Sequence, residues 1–215
     1  MPSPSGGGSG HAQETPALSV GRAYIHTWED SFGRSRLQVI LAVRNDNARW
    51  VRFPAAGSTF RIFNETSEVA GGAFVALPAV IGPGETAYLV DTVNVPVVEL
   101  TRALSAESDV AALYTDAPTV MLSITGLRLT SGTGGGMRAT GRVHNDGGAG
   151  TGPVIAGAIA LDRNGRPLAA VYDTIDVGRV DPGDSRPFAT DYEPGAPPVT
   201  AAMVDGVVGV AFEAE

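Results

Sequence analysis

Residues 37–46 read Leu37-Gln38-Val39-Ile40-Leu41-Ala42-Val43-Arg44-Asn45-Asp46, and they decide the fold. Leu37, Val39, Leu41 and Val43 alternate with Gln38, Ile40, Ala42 and Arg44, and β-branched side chains are frequent, so the run predicts a half-buried strand. Its ending, Val43-Arg-Asn45-Asp46, returns as Val143-His-Asn145-Asp146 after 100 residues (145 − 45). Pro83-Gly84-Glu85 likewise returns as Pro182-Gly183-Asp184 after 99 residues (182 − 83). Between these landmarks, Phe60-Arg-Ile62-Phe63-Asn64 falls opposite Ala158-Ile-Ala160-Leu161-Asp162 after 98 residues (158 − 60). Three landmarks in one order at a nearly constant offset predict an internal duplication.

The runs on either side behave alike. Thr59 to Phe63, Phe74 to Val80, Ala87 to Val93 and Val95 to Leu100 are short and β-prone. So are Val120 to Thr130, Met137 to Asn145, Val154 to Asp162, Leu168 to Val177, Arg186 to Tyr192 and Val199 to Phe212. Only Leu100 to Leu113 has spacing that could hold a helical turn. Pro-Gly steps, Gly132 to Gly136 and Asp162-Arg-Asn-Gly165 punctuate the runs as turns and hairpin tips. Short strands at this interval predict an all-β fold of two tandem antiparallel β-sandwich domains. Residues 1–16 form a tether, 17–116 the first domain and 117–215 the second, joined near Tyr114 to Pro118.

Composition supports a folded chain and removes whole classes of chemistry. The 215 residues include 28 Gly and 15 Pro, yet 43% are hydrophobic and 18% charged, too apolar for a disordered chain. All 15 basic residues are Arg, and there is no Cys. A lysine Schiff base, a phosphate-loop lysine, a thiol nucleophile and a disulfide framework are therefore excluded. The net charge of −8, with no cluster of cations, argues against a nucleic-acid partner. The first sixteen residues, MPSPSGGGSGHAQETP, suit either the native stalk of an exported protein, with a signal peptide and a lipid-bearing Cys ahead of it, or an added linker.

At the repeated landmarks the chain resembles the FxLYD-type immunoglobulin-like domain of bacterial and archaeal extracytoplasmic proteins. The resemblance rests on Gly141-Arg-Val143-His-Asn145, Asp162-Arg-Asn-Gly165 and Pro182-Gly183-Asp184-Ser185 in the second half, and on Phe60-Arg-Ile62-Phe63-Asn64 in the first. Neither copy carries the full naming motif. The resemblance implies immunoglobulin-like sandwiches acting as binding or spacer modules outside the cytoplasm, with no catalytic residues to carry over. The residues themselves read as fold residues. Asn45 and Asn145 suit strand ends, the Pro-Gly pairs suit type II turns, and Phe60, Ile62 and Leu161 are expected to point into the cores.

Candidates for chemistry are few. His11, His26 and His144 lack metal-ligand spacing, so no metal or cofactor is expected. No nucleophile elbow surrounds any Ser, and paired carboxylates for glycoside hydrolysis lack an expected cleft. Neither Gly132 to Gly136 nor Gly147 to Gly152 is followed by the Lys and helix of a phosphate loop. Asp162-Arg-Asn164-Gly165 echoes the start of a calcium loop without its downstream Glu, and Asn64-Glu-Thr66 is a formal glycosylation sequon. No catalytic residue is therefore expected.

The candidate interaction surface is Asn45-Asp-Asn-Ala-Arg-Trp-Val-Arg-Phe-Pro54, which supplies Arg49, Trp50, Arg52 and Phe53. Its counterpart, Asn145-Asp-Gly-Gly-Ala-Gly-Thr-Gly-Pro153, is almost bare of side chains, an asymmetry suggesting a contact made by the first copy alone. Trp28 is a weaker candidate of the same kind. The expected function is protein binding at a bacterial cell surface, including strand addition at sandwich edges. The first alternative is a carbohydrate-binding module using an exposed Trp50 or Trp28, and the second is a hydrolytic enzyme, which needs a convergent polar pocket that the sequence does not assemble.

Overall fold

The computed structural model describes residues 14–30, 32–96, 103–131, 136–175, 177–190 and 199–214. The tether up to residue 13, the tip at 132–135 and the ends of the runs at 97–100 and 191–192 lie outside them. The described chain is all-β, and every strand pairing in it is antiparallel.

In the first half, β1 (Leu18–Glu29), β2 (Ser35–Asn45), β8 (Thr86–Asn94) and β6 (Val75–Leu77) form a sheet in the order β1-β2-β8-β6. Opposite it lies β5-β4-β9, from Glu68–Ala73, Thr59–Phe63 and Ser105–Asp109. A small ladder β10-β3-β7, from Leu113–Thr115, Trp50–Arg52 and Val80–Ile81, adds Val51 and Ile81 to the same core. In the second half, β11 (Leu122–Ser131), β12 (Met137–Asn145) and β15 (Ser185–Ala189) run in the order β11-β12-β15. They face β14-β13-β16, from Pro167–Ile175, Val154–Leu161 and Gly206–Glu213.

The halves share six strands of the same connectivity, to which the first adds β6 and the β10-β3-β7 ladder. β1-β2-β8 matches β11-β12-β15, and β5-β4-β9 matches β14-β13-β16. Even an irregularity recurs, since the β1–β2 register shifts between Val20 and Ala23 and the β11–β12 register between Thr125 and Arg128.

Each half has its own core. Leu37, Val39, Leu41 and Val43 of β2 pack with Phe60 and Ile62 of β4, whereas Val143 of β12 packs with Ala156, Ala158 and Ala160 of β13. A third cluster lies between the halves and joins Ile40, Leu77 and Val90 to Ile159, Ala170 and Val210. The outer face of the β2 sheet thus packs on the outer face of the β13 sheet, giving four sheet layers. Each such aliphatic side chain contributes about 1.5–3 kcal/mol when fully buried. Removing such side chains from water at the seam favours docking of the halves.

Several expectations change here. β2 is not half-buried: Gln38 and Ile40 are sealed by the other half. Leu161 turns away from its own core and packs against the cluster between the halves. The run from Leu100 to Leu113, whose spacing could have held a helical turn, contains the strand β9, in which Ser105-Ala-Glu-Ser-Asp109 pairs with β4. The run from Phe74 to Val80 divides into β6 and β7 around a cis Leu77–Pro78 peptide. Ala201–Met203 forms a 3₁₀ turn ahead of β16.

Candidate functional site

The two strand-ending Asn side chains are the duplicated anchors. Asn45 and Asn145 are completely buried. The Asn45 amide donates to the carbonyls of Arg49 (2.8 Å) and Gly82 (3.0 Å), while its Oδ1 accepts from the Asn47 N–H. The Asn145 amide donates to Ala149 (2.7 Å) and Val180 (2.9 Å), and its Oδ1 accepts from the Gly147 N–H. Their backbones repeat the match, Asn45 with Gly84 and Glu85, Asn145 with Gly183 and Asp184. Gly84 at φ 77° and Gly183 at φ 83° supply the left-handed position of the two type II turns.

These anchors hold the loop carrying the sequence-predicted candidates. Alternation along β3 turns Val51 into the core and leaves Trp50 and Arg52 half-buried on the other face. Phe53 is 3% exposed and belongs to the core, so it is no interaction residue. Arg49 stacks on the Tyr114 ring at 3.9 Å and pairs with Glu14 at 3.4 Å, so its ring partner is internal. Trp28 is 8% exposed and cannot serve as a sugar platform. Of the candidates, the structure brings Trp50 to a cleft.

That cleft has a volume of about 800 Å³ and takes its walls from both halves. Trp50, Pro78 and Tyr88 line it from the first half, and Met121, Val210 and Phe212 from the second. Among the described residues two charged side chains line it, Glu85 and Glu213, both carboxylates that already accept a backbone N–H, from Gly82 and Gly152. A Cβ on Gly82 would lie 3.2 Å from the Trp50 ring and 3.3 Å from Glu85 Oε2, so ring and carboxylate flank a single point. Sequence reading found Trp50 but missed Met121, Phe212 and Glu213, which have no motif and become neighbours only through docking of the halves.

The bare loop of the second copy has a physical cause other than a missing contact. A Cβ on Gly147 would lie 2.5 Å from the Met121 N and the Thr119 O, because the connector between the halves crosses it. Asp146 N–H bonds the Met121 carbonyl, and Gly148 N–H bonds that of Thr119. In the first copy the Asn47 side chain instead reaches the backbone of Ala17. At Gly150, opposite Trp50 in the repeat, the Arg179 guanidinium fills the space.

The remaining candidates fall into structural roles. Asp162 Oδ1 accepts from the N–H groups of Asn164 and Arg166, which spends the supposed calcium carboxylate on its own turn and lowers its pKa. Asp30 repeats the arrangement in Asp30-Ser-Phe-Gly-Arg34, taking the N–H groups of Phe32 and Arg34 and adding the Arg34 and Arg36 side chains. Desolvation pushes the Asp30 pKa up, but these four donors outweigh it and hold the carboxyl well below the usual range. Asn64, in the sequon, is buried and caps a turn through the N–H groups of Thr66 and Ser67. His144 pairs with Asp146 at 3.2 Å, and His26 bonds the Pro167 carbonyl of the other half at 3.0 Å. Among the described residues, no three His, Asp or Glu side chains draw together as a metal site.

No family model and no curated protein matches the sequence. Among solved structures, one described as a β-glucuronidase from glycoside hydrolase family 2 is similar, at 10% identity and a TM-score of 0.25. The match covers 73% of this chain and 20% of that one, so the chain spans about a fifth of its length.

Proposed function

We propose that the chain is a non-catalytic protein-binding module on the outside of a bacterial cell. In this reading residues 17–116 and 117–215 are tandem immunoglobulin-like sandwiches, carried on the tether 1–16 and held at the surface by a lipid anchor ahead of it. The repeated connectivity and the twin Asn anchors support the tandem reading. The observation that carries the binding function is the Trp50 cleft, an apolar recess built jointly by two docked halves. Tryptophan in such a recess is a common anchor of protein interfaces.

The test is a photo-crosslinking amino acid placed at Met121 of the protein in its native envelope. A single reproducible protein crosslink, lost in Trp50→Ala and reproduced by titrating the purified partner, is the expected result. Crosslinks unaffected by Trp50→Ala overturn the assignment of the cleft. Trp50-dependent binding to a glycan array, without a protein partner, overturns the protein-binding reading in favour of sugar binding.

A further inference from the structure

The sheet β14-β13-β16 has two edges, and they are treated differently. Along β14, the first half bonds the edge at Pro167 and Ala170. Gln38 is 2% exposed, and its Oε1 accepts from the Ala170 N–H at 2.9 Å while its Nε2 donates to the Ala170 carbonyl at 3.0 Å. This side-chain amide pairs with a strand edge as a peptide group would. His26 adds a single bond, from Nε2 to the Pro167 carbonyl.

Along β16 no strand or side chain plays that part among the described residues. The Ala214 N–H donates to the Pro153 carbonyl, and Glu213 pairs in register with Val154. Antiparallel alternation therefore turns the N–H and C=O groups of Gly209, Ala211 and Glu213 away from β13. Gly209 is exposed, with Ile124 and Leu127 of β11 standing against one face of it. Residues 208–214 line the Trp50 cleft without interruption, a span of about 20 Å at the strand rise. That length suits an extended chain better than a compact small molecule.

We propose that the cleft binds an extended segment of a partner protein as an added strand on β16, with apolar side chains toward Trp50, Met121 and Phe212 and a Lys or Arg at Glu85 or Glu213. This deepens the protein-binding reading and rests on it. Charge complementarity selects the occupant, because the two charged groups lining the cleft among the described residues are carboxylates and the chain as a whole carries −8. The tether is a poor occupant, since MPSPSGGGSGHAQ offers few apolar side chains besides Met1 and Ala12.

The probe is a nine-residue peptide of alternating valine and threonine with lysine at both ends. It is compared with a glutamate-ended version and with two versions N-methylated along one backbone edge or the other. The expected result is saturable binding of the lysine peptide, at least tenfold weaker binding of the glutamate peptide, and loss of binding on methylation of one edge alone. Amide exchange at Gly209 and Ala211 should slow by at least tenfold in the bound state. Binding indifferent to methylation, equal binding of both charge types, or no binding at all overturns strand addition. If the crosslinked partner still binds in a Trp50-dependent way while every peptide fails, strand addition alone falls and the module reading stands.

Discussion

The side-chain amide of Gln38 makes two hydrogen bonds with the backbone of Ala170, 132 residues further along the chain. Gln38 lies in register with His26 on β1 and Thr92 on β8, so a polar row crosses the outer face of the sheet and meets the β14 edge. The Gln38 Nε2 also donates to Thr92 Oγ1 at 3.1 Å. Hydrophobic contacts hold the halves together, and this row fixes where they meet.

Gln38→Ala therefore leaves a buried N–H and C=O without partners, at a cost of about 1–3 kcal/mol for each unsatisfied group. Urea denaturation should show a lower midpoint. Gln38→Glu should also destabilise, because a carboxylate cannot donate to the Ala170 carbonyl. An unchanged midpoint in both variants would count against the row as the link.

His26 makes that link pH-dependent. Burial lowers its pKa below 6.5, and the bond to the Pro167 carbonyl offsets this only in part. The unfolded chain then binds the proton more readily than the folded one, so stability is full above about pH 6.5 and falls as the pH drops through that value toward the folded pKa. Denaturation midpoints from pH 8 to 5 should fall for the wild type. In His26→Asn the decline should be shallower.

The twin anchors give a paired experiment. Asn45→Ala and Asn145→Ala each leave at least two carbonyls without their amide donor, one or more of them buried, and each should cost about 1–3 kcal/mol per buried group left unpaired. Hydrogen exchange should show early opening of the half that carries the substitution. Equal opening of both halves from either variant would show that the two cores do not unfold separately.

Asp30 and Asp162 cap similar hairpins with different numbers of donors. Asp30→Asn should lower the denaturation midpoint more than Asp162→Asn, since only Asp30 also holds two guanidinium groups, with Arg34 Nε at 2.8 Å and Arg36 Nε at 3.0 Å. Both folded pKa values are depressed. These contributions are thus complete above the unfolded value near 3.8 and are lost as the pH falls below it.

Much of the architecture is legible in local chemistry. Asn45 with Asn145 and Pro83-Gly84 with Pro182-Gly183 announce the duplication because each residue answers a backbone demand of its own turn, and Thr59–Phe63 is a strand as its alternation predicts. What is hidden depends on the other half. Ile40 and Gln38 occupy the positions a solvent face would take, and no local pattern says that another sheet covers them. Gly147 reads as an empty loop residue until the Thr119–Met121 connector is seen to cross it. Phe53 and Trp28 look like interface aromatics in sequence, but β3 ends by turning Phe53 inward and Trp28 is covered where it sits at the end of β1. The cleft is the least legible feature, since Trp50 and Phe212 are separated by most of the chain.

Docking of the two halves into one body, with the seam open at the Trp50 cleft, fixes their relative orientation. Residual dipolar couplings of backbone amides measure the relative orientation of the halves directly. Couplings from the described residues of 14–115 and 119–214 should fit one alignment tensor in the present arrangement. Two tensors of different orientation or magnitude would contradict it.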